Sequence, residues 1–370
     1  MKSYQIYNEY LFYKAGLMGI PYAGCFELTS RCNLDCKMCY IHKKANDRGV
    51  IRKEWSAERW IDLAKECEKK GMLNLLLTGG EPLLRKDFFD IFEACKKLGM
   101  MVSINSNATR IDQGMINYFK SNAPTRINIT LYGASAETYA ALCGDGAAYE
   151  KVVNAILALK KIGVLVKINY SVTPQNFHDM EKVFEFAKEQ NLPIQYASYM
   201  YPPVRACEMA ECTNERLTPE QSAKAQIIYD CLRFDDEELK ARWSRKLEGQ
   251  LVEDSDNECQ EVPNSHIKCR AGSSTFWVTW DGKMRPCGMM TKPSVDLNQI
   301  PFGEAWEIIK KATKENYVPK KCETCTLRNA CDQCAAICYA ETGEFTGVPD
   351  YMCERTKAYL SMIRKEFCLD

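Results

Sequence analysis

Histidine is nearly missing from this chain: only His42, His178 and His266 occur in 370 residues. A histidine-rich metal centre is therefore not expected. Formal net charge is zero, and like charges do not gather into runs. Binding a phosphate backbone needs a basic footprint, so no nucleic-acid partner is expected. No stretch reaches the roughly 18 uninterrupted apolar residues of a membrane span. Residues 1–20 mix charges with aromatics and lack the apolar core of a secretion signal. No membrane association and a cytoplasmic location are the expectation. Apolar content of 46% and charged content of 26% suit a globular protein, and the length allows two domains with a large core.

Cysteine is the opposite case, with 20 residues. In a small secreted domain such a count would mean disulfides. Here the chain is large, and its cysteines bunch in C-x2-C and C-x3-C spacings, which favours metal or cluster ligation.

Residues 22–203 alternate short apolar runs with helical patterns. Strands are expected at 22–28, 72–78, 101–105, 126–131, 165–172 and 194–199. Helices are expected at 57–70, 87–98, 113–121, 149–162 and 178–190, with Ser56 capping the first and Gly71 closing it. Alternation of this kind implies an α/β fold with a parallel sheet. Six units are too few to close an eightfold barrel, so a partial (β/α)6 TIM-like barrel is expected, with sites at the carboxyl ends of its strands. Residues 1–21 form a leading segment. Residues 204–264 read as a polar bridge with one helix at 218–232, capped by Thr218 before Pro219, and an exposed acidic connection at 248–261. Residues 265–370 read as a small cysteine-rich domain of short strands and turns, closed by a helix at about 353–367.

Directly after the first strand comes Cys32-Asn-Leu-Asp-Cys36-Lys-Met-Cys39. Three thiolates on such a loop can hold three irons of a cubane, and a [4Fe–4S] cluster normally takes four cysteine ligands. One iron is left open to a small molecule. Thr78-Gly79-Gly80-Glu81-Pro82 follows the second strand. Its glycines allow close backbone approach to a ligand, and Glu81 can accept from an ammonium. Asn105-Ser106-Asn107-Ala108-Thr109 closes the third strand.

Together these motifs resemble the radical SAM superfamily. The resemblance implies that S-adenosylmethionine (SAM) chelates the open iron held by Cys32, Cys36 and Cys39. Gly79, Gly80 and Glu81 would hold its amino group, while Ser106 and Asn107 would contact its ribose and carboxylate. Ala108 stands where glycine is usual. Met38 stands where an aromatic is usual on the adenine side; a thioether can fill that place. The segment from Asn128 to Gly133, and Asn169, end later strands and are also expected to face the cavity. The implied chemistry is one-electron cleavage of SAM to a 5′-deoxyadenosyl radical that abstracts hydrogen from a substrate, with electrons from a reductant such as flavodoxin or ferredoxin.

The C-terminal cysteines begin with Cys269 and Cys287, which an Asp281-Gly282 hairpin could bring together. Cys322-x2-Cys325-x5-Cys331-x2-Cys334, then Cys338 and Cys353, follow. Paired C-x2-C motifs also bind zinc, but zinc ribbons usually separate the pairs by about 15 residues or more, and here five residues intervene. The pattern resembles the SPASM extension of radical SAM enzymes, which implies two auxiliary [4Fe–4S] clusters. By that resemblance Cys322, Cys325, Cys331 and Cys353 hold an outer cluster. Cys269, Cys287 and Cys334 hold an inner one, with Cys338 competing for the last place and Cys259 the candidate fourth ligand. Cys25, Cys67, Cys95, Cys143, Cys231 and Cys368 lack ligand spacing and read mostly as small buried hydrophobes. Cys207 and Cys212 read as structural.

Enzymes resembling this arrangement mostly modify peptides or proteins, through thioether or carbon–carbon crosslinks, epimerisation or oxidation. A peptide maturase, of the kind acting on ribosomally made peptides, is the first expectation. Only 24 residues precede Cys25, so the expectation is a peptide recognised by a separate leader-binding protein or through its core alone. An anaerobic sulfatase-maturating enzyme is the alternative. Those enzymes tend to carry an aspartate directly after an inner-cluster cysteine, whereas Cys287 precedes Gly288-Met289-Met290. A small-molecule dehydrogenase or mutase is a third reading. A non-catalytic iron–sulfur carrier is a fourth, which would need neither the open-iron loop nor Gly79-Gly80-Glu81. No acid–base residue is singled out.

Overall fold

The computed structural model describes residues 2–41, 43–202, 205, 215–249, 269–314 and 318–366, with side chains from residue 7 onward. His42, His266, Cys207, Cys212, Cys259, Cys368 and most of the acidic connection lie outside the described residues.

Six parallel strands form the barrel wall: β1 (Ala23–Glu27), β2 (Asn74–Thr78), β3 (Met101–Ser106), β4 (Arg126–Thr130), β5 (Val166–Ser171) and β6 (Ile194–Ala197). All six expected strands form, each within two residues of its expected ends. The helices between them pack outside. Ser56 caps α2 (Ala57–Lys69) by accepting from the Arg59 amide at 3.3 Å. The helix then buries Trp60, Leu63, Ala64 and Cys67 on one face. α3 (Phe88–Lys97), α4 (Gln113–Ser121), α6 (Ala148–Lys161) and α7 (Met180–Glu189) repeat the scheme, and α5 (Ala136–Cys143) is an additional helix after β4.

The sheet does not end at β1. A hairpin of β7 (Thr275–Val278) and β8 (Lys283–Arg285), with β9 (Val295–Asp296), joins its free edge. The full order is β9-β8-β7-β1-β2-β3-β4-β5-β6. β7 lies parallel to β1, Ala23 opposite Thr275, while β8 runs antiparallel to β7. Gly282, at φ +82°, makes the hairpin turn. Barrel and cysteine-rich segment thus share one sheet and one apolar core, Phe26, Trp60, Phe276 and Trp306 among its members.

Besides α5, four further labelled helices go beyond the sequence expectation. α1 (Lys2–Met18) precedes the barrel, and α9 (Asp236–Leu247) follows α8 (Pro219–Arg233) in the bridge. α10 (Phe302–Lys314) and α11 (Ala335–Thr342) correct the view of 265–370 as short strands and turns before a single closing helix. α10 forms because Phe302, Ala305, Trp306 and Ile309 fall on one face and are all buried. α12 (Asp350–Glu366) closes the described chain. Thr218 and Gln221 form a capping box at α8. Among the described residues, no helix is long and apolar enough to cross a membrane.

Candidate metal centres and cofactor site

The three-thiol loop leaves the carboxyl end of β1 and is tied down on several sides. Arg31 grips Glu54 with two hydrogen bonds, at 2.8 and 2.9 Å, and donates to the Ala45 carbonyl at 2.9 Å. Cys36 is buried, while Cys32, Met38 and Cys39 are partly buried against the core. The Cys32 sulfur accepts from the Leu34 amide and the Asn107 side-chain amide, both at 3.5 Å. Burial pushes the Cys32 thiol up to about 12, with Glu81, Cys36 and Cys39 close enough to add to the rise. Iron takes only the thiolate, so ligation at this loop would release these protons to solvent.

Gly79 and Gly80 follow β2 and press against the segment leading into this loop. The Gly80 amide donates to the Thr29 carbonyl and the Glu81 amide to the Arg31 carbonyl, both at 2.8 Å. A Cβ on Gly79 would stand 2.4 Å from the Thr29 oxygen, and one on Gly80 would stand 2.3 Å from the Arg31 oxygen. The close approach these glycines permit is to the neighbouring backbone.

Glu81 is fully buried. Its carboxylate accepts from the Leu83 amide at 3.0 Å, the Ser106 hydroxyl at 2.9 Å and the Asn107 amide at 2.7 Å. It therefore clasps the ends of β2 and β3. Ser106 also accepts from the Ala108 amide at 2.9 Å. Ala108 sits at φ +59°, so the turn that usually carries glycine is made with alanine, at about 1–2 kcal/mol. Asn107 accepts from the Thr109 hydroxyl at 2.6 Å, which in turn accepts from Asn33 at 2.8 Å. Ser106 and Asn107 are thereby joined to both Glu81 and the cysteine loop. Asn128 and Asn169 line a lumen pocket of about 410 Å³ near the strand starts, closed by Asn8 and Phe12 of α1. Gly133 packs tightly against Thr138 and Asp179.

The C-terminal thiols sort into two spaces. Cys269, Cys287 and Cys334 line a cavity of about 780 Å³, together with Tyr201, Met290 and residues at the end of α1. The Tyr201 hydroxyl lies 3.6 Å from the Cys334 sulfur. Burial pushes the Cys287 thiol up to about 11. Cys322, Cys325, Cys331 and Cys353 line a second, small pocket of about 30 Å³. Cys338 lines neither space; its thiol donates to Gln333 at 3.2 Å. Among the described residues no three His, Cys, Asp or Glu side chains close on a single-ion site. Both sets are spread around a space, as donors to a multi-iron cubane would be. Of the cysteines without ligand spacing, Cys25, Cys67, Cys95 and Cys143 are buried, but Cys231 on α8 is exposed.

Sequence reasoning missed two features. Glu27, at the end of β1 and fully buried, takes both terminal nitrogens of Arg205, at 2.7 and 2.8 Å. It also accepts from the Trp277 indole at 3.1 Å. Arg205 stacks 5.4 Å from the centre of the Tyr40 ring, so the pair stands between the residue after Cys39 and the hairpin bearing Cys287. The second feature is Cys143, whose side chain lies close enough to Cys36 to push that thiol up. Neither had a local signal, because each depends on residues far apart in sequence.

Residues 26–187 match the family model described as the radical SAM superfamily. The "AdoMet-dependent heme synthase" of Methanosarcina barkeri is 26% identical over 331 residues, covering 86% of this chain and 93% of that protein. The protein of that name from Nitratidesulfovibrio vulgaris is 23% identical, covering 86% and 88%. Among solved structures, anSMEcpe with bound AdoMet and a peptide superposes with a TM-score of 0.68 at 20% identity, covering 94% of this chain and 97% of that one. Streptococcus suis SuiB bound to precursor peptide SuiA gives 0.67 at 16% identity, covering 90% and 76%. Over residues 26–187 the chain matches the radical SAM superfamily, whose members are enzymes, on a fold it shares with these solved structures.

Proposed function

We propose that the chain holds a SAM-binding [4Fe–4S] cluster on Cys32, Cys36 and Cys39, and that its C-terminal part is a SPASM domain with two auxiliary clusters. In this reading the substrate is a peptide or protein, and a small reductant protein supplies electrons. The observation that carries it is the division of the C-terminal thiols into two separate sets, one around a pocket of about 30 Å³, the other on a cavity of about 780 Å³. Cys322, Cys325, Cys331 and Cys353 would fill the outer site. Cys269, Cys287 and Cys334 would hold the inner cluster, with Cys259 the candidate for its fourth iron.

When bound, SAM and its cluster supply reductive C–S cleavage and a carbon radical able to take hydrogen from an unactivated C–H bond. The protein's own residues anchor the site. Asn107 donates to Cys32, and Glu81 fixes the loop that carries Ser106 and Asn107. Gly79 and Gly80 let the rim fold against residues 29–31. Arg205 and Glu27 link the rim to the Cys287 hairpin. The sulfatase-maturating reading is weaker on geometry: a Cβ on Gly288 would meet the Trp277 ring at 3.0 Å, tighter than an ordinary contact. An acid in that place would need the indole to shift.

A second reading, reaction on an iron tetrapyrrole, is favoured by the heme synthase names of relatives aligned over 86% of this chain. One assay separates the two. Anaerobically reconstituted protein is given SAM and dithionite with either peptides encoded beside its gene or an iron porphyrin carboxylate. Mass spectrometry then follows 5′-deoxyadenosine and product. The peptide reading expects stimulation and a mass change with a peptide. Turnover with the porphyrin alone would overturn it in favour of the second.

A further inference from the structure

Cys143 ends α5, far from the ligand loop in sequence, and has no motif around it. The fold sets it beside Cys36. The Asp35 amide donates to the Cys143 carbonyl and the Lys37 amide to the Leu142 carbonyl, both at 3.0 Å. These two bonds straddle Cys36 and clasp the loop to the helix end. Gly144, at φ +74°, then turns the chain away. The Cys143 side chain is 1% exposed and, with the Tyr132 side chain, is among the groups close enough to Cys36 to shift its thiol. Tyr132 is itself fixed, its amide donating to the Tyr139 hydroxyl at 3.2 Å.

A cysteine packed only as a small hydrophobe needs no such partner. Once Cys36 is a thiolate on iron its sulfur can only accept, which leaves the Cys143 S–H and the Tyr132 O–H as donors. Donors to cluster sulfurs stabilise the reduced, more negative state and raise the reduction potential. Cys143 is enclosed by the protein, so its donor is shielded from competition by water.

We propose that Cys143 is a positioning residue for the SAM-binding cluster: its thiol donates to the Cys36 thiolate and makes that cluster easier to reduce. This rests on the cluster reading above and goes beyond it, because it assigns a role to a cysteine outside every ligand set.

The test is a redox titration of anaerobically reconstituted full-length protein, followed by electron paramagnetic resonance. The SAM-binding cluster is identified as the signal that changes when SAM is added. Cys143→Ala is expected to keep wild-type iron and sulfide while its potential moves more negative. Cys143→Ser, which restores a donor, is expected to return towards wild type. If Cys143→Ala does not fold, Cys143→Val fills the space without a donor and takes its place. An unchanged potential in the donor-less variant overturns the proposal. So does loss of the SAM-sensitive signal with its iron, which would make Cys143 a ligand. If wild-type protein takes up no iron–sulfur cluster, the cluster reading itself fails, and that outcome is visible before any variant is compared.

Discussion

Glu81 is the position where a single residue carries most. Its carboxylate is sealed from water and given to two amides and a hydroxyl, yet burial pushes it up to about 7 from an ordinary 4.5. An acid whose pKa is raised in the folded state favours folding while it is protonated. That contribution is complete below about 4.5 and is lost as pH climbs through about 7, in all about 3 kcal/mol. Glu81→Gln removes the titration. Denaturation at pH 5 and pH 8 should show wild type losing stability relative to the variant as pH rises; a constant difference would contradict it. The importance of Glu81 was legible from its place beside two glycines, but its partners were not. Expected to take an ammonium, it spends three bonds on the protein, because the turn it clasps lies one strand away.

At the scale of elements, the rim of the barrel is built from turns that tolerate little change. Gly80 is the tightest case. Its missing Cβ would meet the backbone of Arg31 at 2.3 Å, and backbone cannot rotate away as a side chain can. Gly80→Ala should cost about 1–3 kcal/mol, the usual range for overpacking, and should lower iron uptake by the cysteine loop; unchanged melting and iron content would refute this. The six strands were legible because their apolar runs are short, bounded and regularly spaced, and the Asp281-Gly282 turn announced the hairpin. α1 was not, since Tyr7, Tyr10, Tyr13, Leu17 and Met18 are exposed and trace no buried stripe. α10 does carry one, but it lies among cysteine spacings that drew the reading away from periodicity. Which cysteines share a space was partly legible, because short spacings keep Cys322, Cys325 and Cys331 together. The nearness of Cys143 to Cys36 was beyond reach, since only the folded β4–α5 unit creates it.

The whole molecule is held as one body by contacts between its two cysteine-bearing ends. β7 extends the barrel sheet, and the Glu27–Arg205 pair fastens the SAM-site rim to the Cys287 hairpin. With side chains 0% and 7% exposed, this pair is buried, and removing one partner of such a pair costs about 3–5 kcal/mol because the other charge is stranded. Arg205→Ala should show that loss in denaturant unfolding. Glu27→Gln with Arg205→Met should recover most of it; a double-variant loss equal to the sum of the two single-variant losses would mean the pair is not coupled. Three separate groups of thiols are proposed across this body, and iron content tests that proposal most directly. Anaerobically reconstituted protein should hold about twelve irons per chain, four for each of three clusters. Replacing Cys32, Cys36 and Cys39 by alanine should leave about eight, whereas about four irons in the wild type and none in the variant would contradict the account.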